Sequence, residues 1–164
     1  MSLKIRSLLP LILILFSGIG QLKAQSEKAY FQQKVDYTIS VKLDDHRKMV
    51  SGVLKLEYLN NSPDTLTFIW FHLWPNAYSD RSTPLCKQLL LEGKSDLFFA
   101  DKKDQGFIDS INFESGVNQL QIDRNEGSSE MIKVLLPEPL YPGKSVKINT
   151  SFRVKIPDAR FSRL

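Results

Sequence analysis

Apolar and polar residues alternate along several stretches of this chain, and that alternation constrains the fold more than any other feature. In the longest stretch, Val146, Ile148, Thr150, Phe152, Val154 and Ile156 alternate with Lys147, Asn149, Ser151, Arg153 and Lys155. A period of two places the two sets on opposite faces of a β-strand, one dry and one wet. Residues 35–43 alternate in the same way, and residues 49–59 follow the pattern over their second half. The chain is therefore predicted to form a sheet that buries one face.

The stretches of residues 35–43 and 49–59 are joined by a short polar segment, residues 44–48. So short a connection predicts an antiparallel hairpin. Gly52 lies inside the second strand, where a glycine indicates either a β-bulge or a close approach of another chain segment. Residues 60–64, with the sequence NNSPD, are typical of a turn because Asn and Asp bond their own backbone and Pro fixes φ.

Residues 66–74, LTFIWFHLW, are apolar at nearly every position, which predicts a strand covered on both faces. One helix is expected after it: Ser82 or Thr83 is suited to cap it, Pro84 to begin it, and Gly93 stands past its end. Residues 95–105 are predicted to form a loop.

Further strands are predicted around Ile111 and Phe113, around Leu120 and Ile122, and around Ile132, Val134 and Leu136. Residues 125–129 form a predicted turn, and Pro137, Pro139 and Pro142 are expected to break the chain. The total is about seven strands and one short helix. The predicted fold class is all-β and mainly antiparallel, either a twisted, saddle-like domain or a sandwich.

Residues 1–24 have the pattern of a secretory signal peptide. Lys4 and Arg6 precede an apolar run of residues 8–19, and Ala24 offers the small residue that signal peptidase accepts before Gln25. The run is shorter than the ~20 residues of a membrane-spanning helix. We expect export, to the periplasm, the cell surface or the medium, and no stable membrane span after cleavage. An uncleaved N-terminal anchor is the alternative. The mature domain would comprise residues 25–164.

The net charge of +4 is concentrated in that leader, because Lys4, Arg6 and Lys23 lie there and no acidic residue does. The rest of the chain is nearly neutral. Phosphate binding requires a clustered basic surface, so nucleic acid is not an expected partner.

No catalytic or metal-binding motif is present in the sequence. His46 and His72 are the two histidines and Cys86 the one cysteine, so a zinc site built on His and Cys is not expected. We interpret His72 as a core histidine bonded to a backbone carbonyl, and Cys86 as a buried apolar residue. Acidic pairs such as Asp44 and Asp45, or Asp101 and Asp104, are interpreted as solvated turns rather than calcium ligands.

Aromatic residues are concentrated between positions 70 and 78, where Trp70, Phe71, Trp74 and Tyr78 lie. Exposed aromatic rings at such positions stack on sugar rings. In a continuous apolar run they are more often part of the core, which is the prediction made here.

Three stretches together resemble a known family: residues 60–66 (NNSPDTL), 72–78 (HLWPNAY) and 140–146 (LYPGKSV), the last running on to Phe152 and residues 155–157. With the hairpin of residues 30–59 ahead of them, they are similar to the N-terminal β domain of exported bacterial zinc metallopeptidases of the aminopeptidase N type, the gluzincins. The resemblance extends from about residue 29 to residue 164.

The resemblance implies a saddle-shaped β domain that packs on a thermolysin-like catalytic domain and lines its active-site cleft, where peptide substrate binds. The family's zinc ligands come from an H-E-x-x-H motif and a later Glu, and none of these is found here. We therefore expect no catalytic, cofactor-binding or metal residue and no enzymatic activity in this chain. Residues 25–164 are expected to be an incomplete N-terminal domain, with the catalytic domain as partner and zinc bound there.

A second hypothesis assigns the chain to a different class of protein, a stand-alone exported β-sandwich module that binds glycan or protein through exposed aromatic side chains. Exposure of Trp70 and Trp74 distinguishes the two hypotheses. Buried indoles favour the scaffold, and exposed indoles favour the binding module.

Overall fold

The computed structural model describes residues 30–124 and 129–161. Within them the chain forms eight strands, one α-helix and one short 3-10 helix. The strands are β1 (Lys34–Asp44), β2 (Met49–Leu59), β3 (Leu66–His72), β4 (Phe107–Ser115), β5 (Asn118–Gln119), β6 (Ile122–Arg124), β7 (Met131–Leu140) and β8 (Ser145–Lys155). The 3-10 helix spans Trp74–Tyr78, and the α-helix, α1, spans Pro84–Leu91.

The strands form two antiparallel sheets. Sheet A has the order β1-β2-β8-β4-β5, and sheet B has the order β3-β7-β6. The predicted fold class, mainly antiparallel all-β with one short α-helix, is confirmed. The predicted hairpin is β1 and β2, which pair without a register shift from Lys34 opposite Leu59 to Asp44 opposite Met49.

The hydrophobic core lies between the inner faces of the two sheets. Sheet A contributes Leu56, Phe113 and Ile148, and sheet B contributes Ile69, Ile132 and Val134, with Leu73 and Leu120 beside them. Each of these side chains is less than a tenth exposed. Because the strands alternate, the opposite face of β8 carries the polar set predicted from the sequence.

Gly52 is a point of close approach and not a bulge. A Cβ atom at this position would lie 2.8 Å from the Ser40 carbonyl oxygen, the Val41 side chain and the Phe152 ring. The pairing of β2 with β1 and with β8 continues through Gly52 without a shift. The absent side chain therefore lets three strands pack closely.

Two strand predictions are wrong in detail. β3 ends at His72 rather than at Trp74, since Trp74 and Pro75 form the start of the 3-10 helix instead. β7 continues through Pro137 and Pro139 to Leu140, although prolines were expected to break it. The prolines are tolerated because β6 pairs with β7 only from Ile132 to Val134, which leaves one edge of β7 open near them.

The region around Leu120 also differs from the prediction. Leu120 lies between β5 and β6 rather than inside a strand, and its backbone N–H bonds the Phe113 carbonyl at 2.8 Å. Residues 95–105 form the predicted loop. The predicted signal peptide, residues 1–24, and residues 125–128 of the predicted turn lie outside the described residues. No helix in the described ranges has the length and apolar character needed to span a membrane.

The predicted helix is confirmed as α1. The Thr83 hydroxyl caps it by accepting a hydrogen bond from the Cys86 N–H at 3.2 Å, and Pro84 stands in its first turn. Gly93 follows its end with φ of 77°, the left-handed conformation that glycine adopts most easily. The same Thr83 hydroxyl donates to the Ala77 carbonyl at 2.8 Å, which ties α1 to the 3-10 helix.

Candidate functional site

The first candidate surface is a row of aromatic rings on the outer face of sheet B. We call it the aromatic row: Phe68, Trp70 and His72 of β3, followed by Trp74. Phe68 and Trp70 meet edge to face, with ring centroids 5.9 Å apart. His72 and Trp74 stack at 5.0 Å with an interplanar angle of 13°. The rings of the row therefore contact one another in two pairs, Phe68 with Trp70 and His72 with Trp74.

This surface overturns three expectations. Trp70 is 43% exposed and Trp74 65% exposed, so neither indole lies in the core. His72 is exposed rather than buried. The strand was expected to be covered on both faces, but alternation turns only Ile69 and Phe71 toward sheet A. Phe71 packs on Phe113 there, with centroids 4.6 Å apart.

A charged pair borders the aromatic row. The Lys133 ammonium lies 4.5 Å from the centre of the Phe68 ring and 3.7 Å from the Asp123 carboxylate. Lys133 pairs with Trp70 across the sheet on one side and with Asp123 on the other. Hydrogen-bond donors and acceptors thus stand beside flat apolar rings, the combination that binds sugars and amphipathic peptides.

A cavity of about 340 Å³ opens beside Trp74. Its lining is mostly apolar, and its residues come from the 3-10 helix, from α1 and from the position just before β7: Trp74, Ala77, Tyr78, Pro84, Leu85, Gln88 and Glu130. Buried Asn76 fixes this region, because its amide donates to the Ser129 carbonyl at 2.7 Å and accepts from the Ile108 N–H at 2.8 Å. The cavity wall is therefore anchored to β4 of sheet A and to Ser129, two residues before β7.

The second candidate surface is the β1 apolar face, formed by Tyr37, Ile39, Val41 and Leu43. These side chains are 58–61% exposed. They lie on the face of sheet A that carries the core, since Tyr37 pairs with Leu56, which pairs with Ile148. The sequence predicted a dry face here, and nothing among the described residues covers it.

The titratable residues considered from the sequence occupy structural positions. Burial raises the pKa of the Cys86 thiol, and the nearby Asp80 carboxylate adds to the effect. Cys86 is fully buried, as predicted. Asp44 accepts the Arg47 N–H in the β1–β2 turn, and Asp104 pairs with Arg160 at 3.2 Å.

No group of three or more His, Cys, Asp or Glu side chains gathers as a metal site within residues 30–124 and 129–161. His46 lies in the β1–β2 turn, and His72 lies in sheet B, stacked on Trp74.

No protein-family model matches this chain, and a search of the curated proteins finds no significant match. The resemblance to the N-terminal domain of aminopeptidase N-type enzymes therefore stays a prediction. The fold and the two surfaces are the basis for the proposals that follow.

Proposed function

We propose that this chain is the non-catalytic β domain of an exported, aminopeptidase N-like zinc metallopeptidase, in which it scaffolds the catalytic domain and lines the active-site cleft. The observation that carries the proposal is the β1 apolar face. A strand whose apolar side chains continue the core and then emerge into solvent is typical of a surface that another folded body covers.

The four exposed side chains set the size of the free-energy gain on docking. Covering the exposed part of each of these four side chains stabilises a complex by about 1–2 kcal/mol, before the entropic cost of association is subtracted. The opposite face of sheet A, by contrast, is polar and cross-linked, with Arg153 bonding both oxygens of Asp109 at 2.8 and 3.0 Å. This contrast favours the β1 apolar face over the polar face as the docking surface for the proposed partner domain.

Two experiments test this function. The purified chain, incubated with zinc and aminoacyl fluorogenic substrates, is expected to show no turnover. Turnover that a chelator abolishes would overturn the non-catalytic assignment.

The second experiment examines the gene sequence that follows the Leu164 codon and the neighbouring genes, which are expected to encode an H-E-x-x-H segment. If neither does, the scaffold has no catalytic partner and the proposal fails. Mature secreted protein beginning at Gln25 would support export.

A second candidate function is an exported module that binds glycan or protein, and the aromatic row favours it. Exposed indoles were the expectation for this module, and both Trp70 and Trp74 are exposed. Stacking on His72 holds the Trp74 ring in place, which lowers the entropy lost when a ligand stacks on it.

Intrinsic fluorescence tests this candidate directly, because Trp70 and Trp74 are the two tryptophans of the chain. Oligosaccharide that binds the row is expected to change the emission and to protect it from acrylamide. Trp74→Ala should abolish the response, whereas Phe99→Ala, which removes an exposed ring in the 95–105 loop, should not. An unchanged spectrum across a panel of oligosaccharides and peptides would exclude the module.

A further inference from the structure

The two edges of sheet A differ in a way that points to a partner. At one edge, β4 shifts register between Asp109 and Asn112, Ser110 has a positive φ of 54°, and the last strand, β5, has two residues. At the other edge, β1 runs for eleven residues without a register shift. It contains no Pro and no bulge, two of the features that protect an edge from pairing, and its charged residues all lie on the polar face. No strand of residues 30–124 or 129–161 pairs with its outer side.

We propose that the β1 strands of two copies of this chain pair antiparallel across a two-fold axis at Ile39, so that two copies of sheet A become one continuous sheet. The basis is the sequence of β1, KVDYTISVKLD, which is complementary to itself when reversed. On the polar face, Lys34 meets Asp44 of the second copy, Asp36 meets Lys42, and Thr38 meets Ser40. On the apolar face, Val35 meets Leu43, Tyr37 meets Val41, and Ile39 meets Ile39.

The charges select this register over its neighbours. Opposite residues of an antiparallel pair share a face, so a register offset by one residue would set apolar side chains against polar ones. A two-fold axis at Thr38 would place Lys34 opposite Lys42, and an axis at Ser40 would place Asp36 opposite Asp44. Like charges directly opposite are unfavourable. Of these three axes, the one at Ile39 pairs each Lys with an Asp. The two-fold symmetry forms the Lys34–Asp44 pair and the Asp36–Lys42 pair twice each.

The exposure of these side chains agrees with the pairing. Lys34 and Asp36 are 62% and 64% exposed and form an ion pair at 3.0 Å along the strand, so both are accessible to a second copy. On the apolar side, pairing brings Tyr37 beside Val41 and the two Ile39 residues together, at the Cβ separation of about 5 Å usual for opposed residues. Each contact removes apolar surface from water that the single chain leaves exposed.

This pairing uses the edge of β1, whereas the proposed catalytic partner would cover its face. Both proposals involve Tyr37, Ile39 and Val41, but cross-linking and charge exchange test the strand pairing alone, so their failure would leave the proposed function untouched. A two-fold interface also closes on itself, which limits the assembly to a dimer and protects an edge that otherwise recruits further strands.

Disulfide cross-linking tests the register in this chain with Cys86→Ala as background. Ile39→Cys is expected to form a disulfide-linked dimer under mild oxidation, because the two-fold axis sets the two thiols opposite each other. Leu43→Cys is the matched control, on the same face and similarly exposed. Its two copies would lie about 27 Å apart along the paired strands, at about 3.4 Å per residue. Equal cross-linking of both variants, or none of Ile39→Cys, would overturn the proposal.

Exchanging the charges of β1 tests whether its partner is a second copy of this chain. Dimerisation is measured by analytical ultracentrifugation. Asp36→Lys and Lys42→Asp are each expected to weaken dimerisation by about tenfold or more, since each creates like-charged pairs. The double variant should dimerise again. An equimolar mixture of the two single variants should form a mixed dimer, because every Lys then meets an Asp. Circular dichroism checks that each variant is folded. A monomeric parent chain at the highest soluble concentration, or single variants that dimerise like the parent, would refute the pairing.

Discussion

β1 and β8 follow the same sequence pattern and meet opposite fates. Both are eleven-residue strands of sheet A in which apolar and polar residues alternate. The apolar face of β8 includes Ile148, which is fully buried, whereas Ile39 on the corresponding face of β1 is 58% exposed. The strands are two positions apart in one sheet, with β2 between them. Alternation therefore defines which face is apolar, and the opposite layer decides whether that face is covered.

The difference follows from the sizes of the two sheets. Sheet A has five strands, three of them eleven residues long, whereas sheet B has three strands of seven, three and ten residues among the described elements. The smaller sheet covers the centre of the larger one, where Leu56, Phe113 and Ile148 lie. β1 extends beyond that cover. Its exposed face is a consequence of unequal layers and not of a weaker pattern.

The largest expected effect compares the two isoleucines directly. Ile148→Ala should lower the free energy of unfolding by about 2–5 kcal/mol, because it removes a fully buried side chain and leaves a cavity. Ile39→Ala should change it by no more than about 0.5–1 kcal/mol in the monomer. Urea denaturation of both variants, at a dilution where the chain is monomeric, measures the difference. Similar losses would mean that the β1 apolar face is covered after all.

The β1–β2 hairpin and the helix were predictable from local sequence because they depend on neighbouring residues, whereas the pairing of β8 with β2 joins distant residues and was not predicted. The polar turn after β1 brings β2 back beside it, and Thr83, Pro84 and Gly93 delimit α1 at both ends. Coverage was not predictable in the same way. Whether a second layer lies above Ile39 depends on how far sheet B extends, and no residue near Ile39 carries that information.

The next effect concerns the hydrogen bonds of Asn60, which connect the end of β2 in sheet A to β7 in sheet B. Asn60 is fully buried after β2, and its amide donates to the Leu140 carbonyl of β7 at 3.0 Å and to the Asp64 carbonyl at 2.8 Å. The side-chain oxygen Oδ1 of Asn60 accepts a hydrogen bond from the Ser62 N–H at 3.0 Å. Asn60→Asp should destabilise the protein by about 2–3 kcal/mol, since it replaces the donor with an oxygen that faces two carbonyl groups.

Exposed Asn61 is the matched control for Asn60. Asn61→Asp also introduces a carboxylate, but outside the buried network, and should cost less than about 1 kcal/mol. Thermal unfolding followed by circular dichroism compares the two variants. If the two variants unfolded at the same temperature, the Asn60 hydrogen bonds between the two sheets would not determine the stability of the protein.

The candidate site shows the same division between what sequence predicts and what it does not. The aromatic residues of β3 were identified from the sequence, but Trp70 was predicted to be in the core because the run around it is apolar on both faces. Sheet B has no layer outside it among the described residues, so one of those faces is open. The alternation of Ile69 and Phe71 with the aromatic row was the available signal, and the continuous apolar composition concealed it.

A smaller effect is expected at Gly52 of β2, over which side chains of β1 and β8 lie. Gly52→Ala places a methyl group 2.8 Å from the Ser40 carbonyl oxygen and the Phe152 ring, so a backbone shift between β1 and β2 is required. The expected cost is about 1–3 kcal/mol. Ser51→Ala, one residue earlier on the exposed polar face, is the control and should be nearly neutral. If Gly52→Ala were also neutral by urea denaturation, β1 would not be held tightly against β2.

The smallest effect lies on the wet face of β8, opposite its buried one. The hydrogen bonds from the Arg153 guanidinium hold the pKa of Asp109 below its ordinary value of 3.8. The pair therefore stabilises the fold above that value, and the contribution is lost as the pH falls through the lowered pKa. Both side chains are more than a third exposed, so Asp109→Asn should lower Tm by no more than about 4 °C at pH 7.

The direction of the pH dependence separates this pair from the dry face of the same strand. The Tm difference between the parent chain and Asp109→Asn should shrink below pH 3.8, because protonated Asp109 no longer attracts Arg153. The loss caused by Ile148→Ala involves no titrating group and should persist at low pH. Melting curves of the three proteins at pH 7 and pH 3 test both statements. A difference for Asp109→Asn that grew on acidification would show that the carboxylate is unfavourable in the folded sheet. The apolar face of β8 therefore stabilises the fold through burial, and its polar face does so through an ion pair. β1 has a similar polar face, but most of its apolar face is not covered.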